Sequence, residues 1–213
     1  MPNLEPIAER IHTALEERTV VRDRLLSQAR TLTRHCANAI RAVHRDERTL
    51  AEQHLAEAGM LAVSFRDILK DYPDLYYAGY TQDSLKEFAE AQIVYALIDR
   101  LELPSPEDLH IEYATYLQGL AEAVGELRRR CLDILLKGRP EEAECLLADM
   151  DDIYAVLVTM DYPDAITGGL RRLTDLARGI IERTRGDLTI SLRQESLQEN
   201  IRRLEEQLGK TQS

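Results

Sequence analysis

Residues 84–98 (SLKEFAEAQIVYALI) and residues 113–127 (YATYLQGLAEAVGEL) are long, mostly apolar segments that indicate the fold class. The chain is 31% charged, yet the first stretch has no charged residue after Glu90, and the second has only two. Apolar runs of this length are typical of helices that bury most of their surface. These runs predict two buried helices at the centre of an all-α protein.

Four glutamates interrupt the two runs. Glu87 and Glu90 lie in the first run, and Glu122 and Glu126 lie in the second. Spacings of three and four residues place each pair on one helix face. A buried carboxylate without a partner is costly or takes up a proton. If the two faces meet, a divalent cation is the natural partner, and oxygen-only ligands favour Mg²⁺ or Mn²⁺ over Zn²⁺.

The chemistry expected of such a site is phosphodiester cleavage. Two ions about 3.5–4 Å apart can activate a water and stabilise the leaving oxygen. Gly119 and Gly125 flank the second acid pair, and small residues let another helix approach closely. Acid pairs at helical spacing are also common on solvated faces. In that alternative the acids form salt bridges, and Arg129 and Arg130 are the nearest cations.

A di-iron helical bundle is a competing interpretation. It requires Glu-x-x-His on two helices and one further Glu from each of two others. Glu9 and His12 have this spacing, as do Glu107 and His110, but both pairs lie near predicted helix starts. Neither acid pair in the apolar runs has a histidine at the required offset. The sequence therefore favours an oxygen-only site.

The composition limits the class of protein. The 213 residues include only 10 Gly, 7 Pro and no Trp, which is typical of a helical protein. No apolar run of about 18 residues could span a membrane, and the N-terminus lacks the blocks of a signal peptide. The three cysteines have no zinc spacing and fit a reducing compartment. We therefore expect a cytoplasmic protein without a membrane partner.

The net charge of −11 argues against a dedicated nucleic-acid binder, but the charge is unevenly distributed. Residues 18–45 hold seven arginines and one acid, whereas residues 141–164 hold eight acids and no basic residue. Four arginines fall within about 60° on a helix wheel, either as a solvated face or as a track for phosphates: Arg30, Arg34, Arg41 and Arg45. Arg129 and Arg130 are predicted to clamp a phosphate beside the acids or to form salt bridges with the acidic segment.

The pattern predicts six helices, at about residues 3–44, 47–69, 82–101, 106–137, 140–160 and 164–185, and a resumed helix at about 192–210. Thr81 is expected to cap the third helix, and Ser105 the fourth. The fourth should end at Gly138. Residues 185–194 are expected to form a kink or break. No linker divides the chain, so residues 1–213 are predicted to form a single all-helical domain of six to seven helices.

Three segments resemble the translin family, and in particular its Trax-like members. Residues 86–91 (KEFAEA) resemble the Trax signature of the Gln-Glu-Tyr-Val-Glu-Ala type. Residues 116–138 (YLQGLAEAVGELRRRCLDILLKG) are similar to the family's Tyr-Leu-x-Gly-Val-Ala-Asp-Leu-x-Gly-Glu-Leu block. Residues 22–45 (RDRLLSQARTLTRHCANAIRAVHR) resemble its first helix. The resemblance covers roughly residues 22–189.

The resemblance implies a bundle of about seven helices that assembles into rings or shells, often octamers. Trax-like members are Mg²⁺-dependent endoribonucleases that act on single-stranded RNA. Carried over, the catalytic and metal-binding acids are Glu87, Glu90, Glu122 and Glu126. Glu122 stands where the family has aspartate, which shifts the reach of the carboxylate by about one methylene and affects the metal geometry. Because translin-type members lack part of this acid set, the chain resembles the Trax-like side.

The sequence thus predicts a self-assembling, translin-like endoribonuclease with Mg²⁺ or Mn²⁺ as cofactor. Its expected partners are single-stranded RNA, single-stranded DNA as a further ligand, and other copies of the chain in a homo-oligomer such as an octamer. One alternative is a non-catalytic, translin-type assembly that binds single-stranded RNA or DNA. The other is a helical scaffold whose acids pair with arginines.

Overall fold

The computed structural model describes residues 4–211, with side chains up to residue 207. This part of the chain forms six long helices and three one-turn helices: α1 (Glu5–His44), α2 (Arg48–Leu69), α3 (Pro73–Tyr76), α4 (Gly79–Ile98), α5 (Pro106–Leu109), α6 (Tyr113–Leu136), α7 (Pro140–Leu157), α8 (Asp164–Thr167) and α9 (Leu170–Thr211). The all-α prediction is confirmed. The predicted start at residue 3 lies outside the described residues. None of the described helices has the length and apolar character needed to cross a bilayer.

The chain divides into two compact units. The first contains the described residues up to Tyr95 together with Pro104–Gly119, and the second contains Ala96–Leu103 and the described residues from Leu120 onward. Both α4 and α6 continue along the chain from one unit into the other. A single domain over residues 1–213 stays a prediction.

In the first unit, α1 packs along α2. Leu25, Leu32 and Cys36 of α1 are fully buried, and α2 contributes the buried ring of Phe65. Leu25 and Leu32 are seven residues apart and Leu32 and Cys36 are four apart, so all three side chains lie on one face of α1, which packs against the neighbouring helix. Burying each large apolar side chain stabilises the fold by about 1.5–3 kcal/mol. This packing fixes the position of the α1 face that borders the candidate site.

In the second unit, α7 packs along α9. Met150 and Leu157 of α7 and Leu170 of α9 are buried. Charged contacts add to this core, because Arg128 of α6 donates hydrogen bonds to Thr184 Oγ1 (3.0 Å) and Asp187 Oδ2 (2.9 Å) of α9. The arginine side chain therefore ties α6 to the middle of α9.

The helix predicted over residues 106–137 is divided in two. Ser105 caps α5 as expected, because its side chain accepts a hydrogen bond from the Asp108 amide at 3.1 Å, and the Asp108 side chain accepts one from the Ser105 amide. The helix then stops at His110, which has φ of 55°. The Ile111 amide donates to the Pro106 carbonyl at 3.1 Å, which closes the turn. The prediction of one continuous helix was wrong.

The predicted start of the third helix was also wrong. The helix α4 begins at Gly79, and Thr81 is buried inside it rather than capping it. The Thr81 hydroxyl donates a hydrogen bond to the Leu75 carbonyl at 2.8 Å. This bond fixes the preceding turn to the first turn of α4, so the helix can start earlier than its side-chain pattern indicates.

The expected break at residues 185–194 is absent, because α9 runs through this segment without interruption. Leu188 is buried, and the Thr189 hydroxyl donates to the Arg185 carbonyl at 2.7 Å, inside the helix. The contact between Arg128 and Asp187 holds the same turn. The predicted stop of α6 is confirmed, since the helix ends at Leu136 and Gly138 has φ of 69°.

Candidate metal and phosphate-binding site

The helix α4 carries the first acid pair in a partly desolvated position. Glu90 is buried, with 9% of its surface exposed, and the Glu87 side chain is 33% exposed. Lys86 Nζ lies 3.9 Å from Glu87 Oε1, which is a long separation for an ion pair. Desolvated carboxylates in this position favour a cationic ligand.

The negative charges of Glu87 and Glu90 change the pKa of a cysteine on α1. Burial raises the pKa of the Cys36 thiol, and the negative charges of Glu87 and Glu90 raise it further. The thiol therefore stays protonated at neutral pH and is a poor nucleophile. Cys36 is therefore a buried packing residue of α1 near the two carboxylates rather than a reactive group.

The backbone of α6 packs closely onto α4 at Gly119. A Cβ added to Gly119 would lie 2.8 Å from Ala89 Cβ, 2.9 Å from the Lys86 carbonyl oxygen and 3.0 Å from the Glu90 amide nitrogen. Only glycine fits this contact, so the predicted close approach is confirmed for Gly119. It is not found at Gly125, where an added Cβ would have none of the described atoms within 4 Å.

A hydrogen bond fixes the same pair of helices one turn earlier. The Thr115 hydroxyl of α6 donates to Gln82 Oε1 of α4 at 2.5 Å, and Thr115 is buried. Together with Gly119, this bond sets both the separation and the rotation of the first turns of α6 against α4. The turn of α4 that faces Gly119 is the one that carries Glu87 and Glu90.

The second acid pair follows on the same uninterrupted helix. Glu122 lies three residues after Gly119 and therefore on the same face of α6, one turn further along. Glu126 lies at 3.7 Å from Arg129 Nη1, and the Arg129 side chain is 55% exposed. This contact is a salt bridge of the kind expected in the scaffold alternative, but its arginine is exposed, and exposed pairs contribute little to stability.

A cleft of about 430 Å³ opens between α1 and α4 in the first unit. Arg30 and Thr33 of α1 and Tyr80, Ser84 and Glu87 of α4 line it. The Tyr80 hydroxyl is buried, and none of the described residues forms a hydrogen bond with it. The cleft therefore has a cation and a carboxylate in its walls, contributed by Arg30 and Glu87, and the cation suits a phosphorylated ligand.

The sequence did not single out Tyr80, although a signal was available. Tyr80 lies seven residues before Glu87, which is two helical turns on one face of α4. The start of α4 was expected at residue 82, however, so Tyr80 was placed outside the helix. The earlier start of the helix brings this tyrosine into line with the acid.

Of the predicted arginine stripe, Arg30, Arg34 and Arg41 lie on α1 and Arg45 lies just past its end, and all four are exposed. Arg30 borders the cleft. Arg41 donates a hydrogen bond to Asn38 Oδ1. Arg30 contributes to the cleft wall opposite the α4 residues. The role of Arg30, Arg34, Arg41 and Arg45 in binding phosphates stays a prediction, as does that of Arg129 and Arg130.

The di-iron alternative does not match the local structure at its second motif. His110 lies in the left-handed turn after α5 rather than on a helix with Glu107. Glu107 Oε1 accepts a hydrogen bond from the Tyr113 hydroxyl at 2.8 Å, which lowers the pKa of this carboxyl. Glu107 and His110 therefore lack the helical i,i+3 geometry that the motif requires.

Comparisons with known proteins give consistent results. No protein-family model matches the chain. An uncharacterised protein of Methanocaldococcus jannaschii is 32% identical over 200 residues, which are 93% of this chain and 87% of that protein. The structure of AfC3PO in complex with duplex RNA is similar with a TM-score of 0.81 and 34% identity, over 86% of this chain and 95% of that one.

Two further structures match. A second crystal structure of AfC3PO has a TM-score of 0.80 and 33% identity, over 86% of this chain and 96% of that one. Apo-NeC3PO has a TM-score of 0.77 and 25% identity, over 90% of this chain and 98% of that one. The predicted translin-like fold is confirmed by these similarities.

Proposed function

The chain belongs to the C3PO family of translin/Trax-like proteins, and on this basis we propose that it is a Trax-like, metal-dependent endoribonuclease. Its substrate is RNA, and the reaction is hydrolysis of a phosphodiester bond. Glu87, Glu90, Glu122 and Glu126 are the proposed catalytic acids and the proposed ligands of one or two Mg²⁺ or Mn²⁺ ions.

The close packing at Gly119 carries this proposal. It brings the α6 backbone against the Lys86 carbonyl and the Glu90 amide. Because Glu122 follows one turn later on the same face of α6, we expect its carboxylate to be directed toward the acid pair of α4. Glu87, Glu90 and Glu122 are then a set of carboxylates that could hold a metal ion together.

The donor set fits magnesium or manganese. All the proposed ligands are carboxylate oxygens, which these hard cations prefer. Clustered carboxylates repel one another unless they take up protons or bind cations. When bound, the cation supplies Lewis acidity and an activated water for attack on phosphorus. The partial burial of Glu87 and Glu90 reduces the competing hydration and strengthens the attraction for the cation.

The cleft supplies the groups that bind the RNA. Arg30 is exposed at the same cleft as Glu87, so its guanidinium can bind a phosphate oxygen close to the acids. Arg34 and Arg41 continue along α1 and Arg45 lies just past its end, and these arginines would bind further phosphates of one strand. Arg129 and Arg130 are proposed as further phosphate contacts.

The substrate form and the assembly are also proposals. Single-stranded RNA is the proposed substrate, and single-stranded DNA a further ligand, within a cytoplasmic homo-oligomeric shell such as an octamer. AfC3PO has been solved with duplex RNA, so a duplex must be compared with the single strand. A non-catalytic translin-type assembly that binds RNA or DNA is the second candidate, because the AfC3PO complex with RNA is compatible with binding alone.

Cleavage of an end-labelled RNA oligonucleotide tests the proposal. We expect the purified chain to cut the single strand in Mg²⁺ or Mn²⁺, to stop in EDTA, and to resume when Mg²⁺ is restored. The same oligonucleotide annealed to its complement tests the strand preference. Binding that survives EDTA with no cleavage at any metal concentration would support the non-catalytic assembly. Size-exclusion chromatography with light scattering on the same sample gives the number of subunits.

A further inference from the structure

A second group of side chains that could bind a metal ion lies in the first unit, and it does not include the glutamates of α4 and α6. His35 projects from α1, and His54 and Glu57 project from one face of α2, three residues apart. We infer that His35, His54 and Glu57 form a binding site for Zn²⁺ or a similar transition-metal ion, which joins α1 to α2. This inference does not depend on the proposed nuclease function.

The distances between the ligand atoms fit one small cation. His35 Nδ1 lies 3.2 Å from His54 Nδ1 and 2.9 Å from Glu57 Oε2, and one ligand atom from each of the three residues lies within 4.8 Å of the others. A tetrahedral zinc ion with bonds of about 2.0–2.1 Å separates neighbouring ligands by about 3.3–3.4 Å. Small side-chain adjustments would therefore bring all three atoms into a zinc coordination sphere.

The three ligand atoms face a common position that one shared proton or one cation can occupy. Two imidazole nitrogens face each other at 3.2 Å, so only one of them can carry a proton between the rings. His35 Nδ1 also faces the Glu57 carboxylate, which accepts hydrogen bonds but cannot donate them when ionised. A cation would take a lone pair from each of the three atoms at once. Imidazole ligands suit zinc, whereas the acid pairs of α4 and α6 offer only oxygen.

The surroundings allow an ion to enter and be held. The His35 side chain is 17% exposed and the Glu57 side chain 53% exposed, so the site is covered on the α1 side and open to solvent through Glu57. Two histidines and one carboxylate leave a fourth tetrahedral position for water, as in zinc sites with three protein ligands. The bound ion would fix α1 against α2 at His35, one residue before the buried Cys36.

Zinc titration of the full chain tests the inference. The protein is stripped with EDTA, dialysed and titrated with Zn²⁺ by calorimetry, both as the wild type and as a Glu87→Gln/Glu90→Gln variant that weakens binding at the acids. We expect one equivalent of Zn²⁺ per chain to remain in that variant. Adding His54→Ala should weaken this binding by at least about tenfold to a hundredfold. The exposed His12 is the matched control, and His12→Ala should leave the affinity unchanged.

Cobalt absorption gives a second measurement that needs no histidine variant. Co²⁺ bound to imidazole and carboxylate in a four-coordinate site absorbs strongly in the visible, whereas a six-coordinate, oxygen-rich site absorbs weakly. We expect the strong bands in the wild type and their displacement by Zn²⁺. Circular dichroism in EDTA checks that the variants fold, and His54→Gln replaces His54→Ala if it does not. Only weak six-coordinate bands, or equal Zn²⁺ affinity in the His54 variant and the His12→Ala control, would overturn the inference.

Discussion

The two glycines of α6 have different surroundings. Gly119 is buried, and a Cβ added there would meet the α4 backbone at 2.9 and 3.0 Å, whereas a Cβ added to Gly125 would have none of the described atoms within 4 Å. One glycine is required by a helix crossing, and the other is not. The acids next to them differ in a similar way, since Glu90 is buried beside the crossing and Glu126 pairs with the exposed Arg129.

This contrast indicates how the candidate site is built. A site between helices needs a fixed separation of the two backbones before its carboxylates can hold an ion at defined distances. The Gly119 contact and the bond between Thr115 and Gln82 supply that separation for α4 and α6. Near Gly125, none of the described atoms makes a contact of this kind. We therefore expect the acids near Gly119 to matter more than Glu126.

The largest effect is expected for Glu90→Gln, which keeps the size of the side chain and removes its charge. RNA cleavage in Mg²⁺ should fall by about 10²–10³-fold, the range for losing one group that stabilises charge in a transition state. Glu126→Gln should reduce cleavage by about tenfold or less. Single-turnover cleavage of a short single-stranded RNA measures both variants.

Glu144→Gln, an exposed acid of α7, serves as the control for a general loss of charge. If Glu126→Gln reduced RNA cleavage as much as Glu90→Gln does, the proposed difference between the acids near Gly119 and the acid near Gly125 would be wrong.

Stability should respond strongly to a methyl group at Gly119. Overpacking costs about 1–3 kcal/mol, and the better helix propensity of alanine offsets only about 1 kcal/mol of it. Because the added Cβ would meet α4 backbone atoms at 2.9 and 3.0 Å, we expect the upper part of the overpacking range. Gly119→Ala should therefore lower the free energy of unfolding by about 1–2 kcal/mol. Urea unfolding followed by circular dichroism measures this change. A variant as stable as the wild type would show that α4 and α6 are not in close contact.

Binding of RNA should depend on where an arginine lies along α1. Arg30 borders the cleft with Glu87, and Arg45 lies just past the end of the helix. Arg30→Ala should weaken binding of single-stranded RNA by about fivefold to tenfold, or about 1–1.4 kcal/mol, and reduce the salt dependence by about one phosphate contact. Arg45→Ala should have a smaller effect. Fluorescence anisotropy at several salt concentrations, in the Glu90→Gln background, makes the comparison without cleavage.

The smallest effect is expected at the other glycine. Gly125→Ala adds a methyl group where there is room for it, so the gain in helix propensity should raise the free energy of unfolding by about 0.5–1 kcal/mol. RNA cleavage should be unchanged. The same urea titration, run beside Gly119→Ala, measures it. Destabilisation at both positions would mean that α6 is packed equally closely along its length.

The elements of the fold that were predicted correctly are those with local signals. Apolar periodicity predicted the long helices, and Ser105 and Gly138 marked a start and a stop that the structure confirms. The turn at His110 was not predicted because the left-handed conformation is usually adopted by glycine, and a histidine in the sequence does not indicate it. The residues around Thr189 favour extended structure locally, but packing of Leu188 and the bond from Arg128 keep α9 helical.

The candidate site was predictable only in part for a similar reason. Helical spacing places each acid pair on one face, and the small size of Gly119 predicts a close crossing. Gly125 is equally small and was expected to allow the same approach, because sequence spacing does not determine which neighbouring helix packs against which turn. The cleft wall formed by Arg30 and Tyr80 depends on the packing of α1 against α4, which residue patterns within each helix do not determine.

The most direct test of the metal site is a crystal of the protein soaked in Mn²⁺ and measured for anomalous scattering. We expect a Mn²⁺ peak bonded to carboxylate oxygens of Glu87, Glu90 and Glu122, at about the 2.0–2.2 Å expected for a hard divalent cation of this size. A map without a peak at these residues, with the carboxylates held by arginine side chains instead, would contradict this prediction.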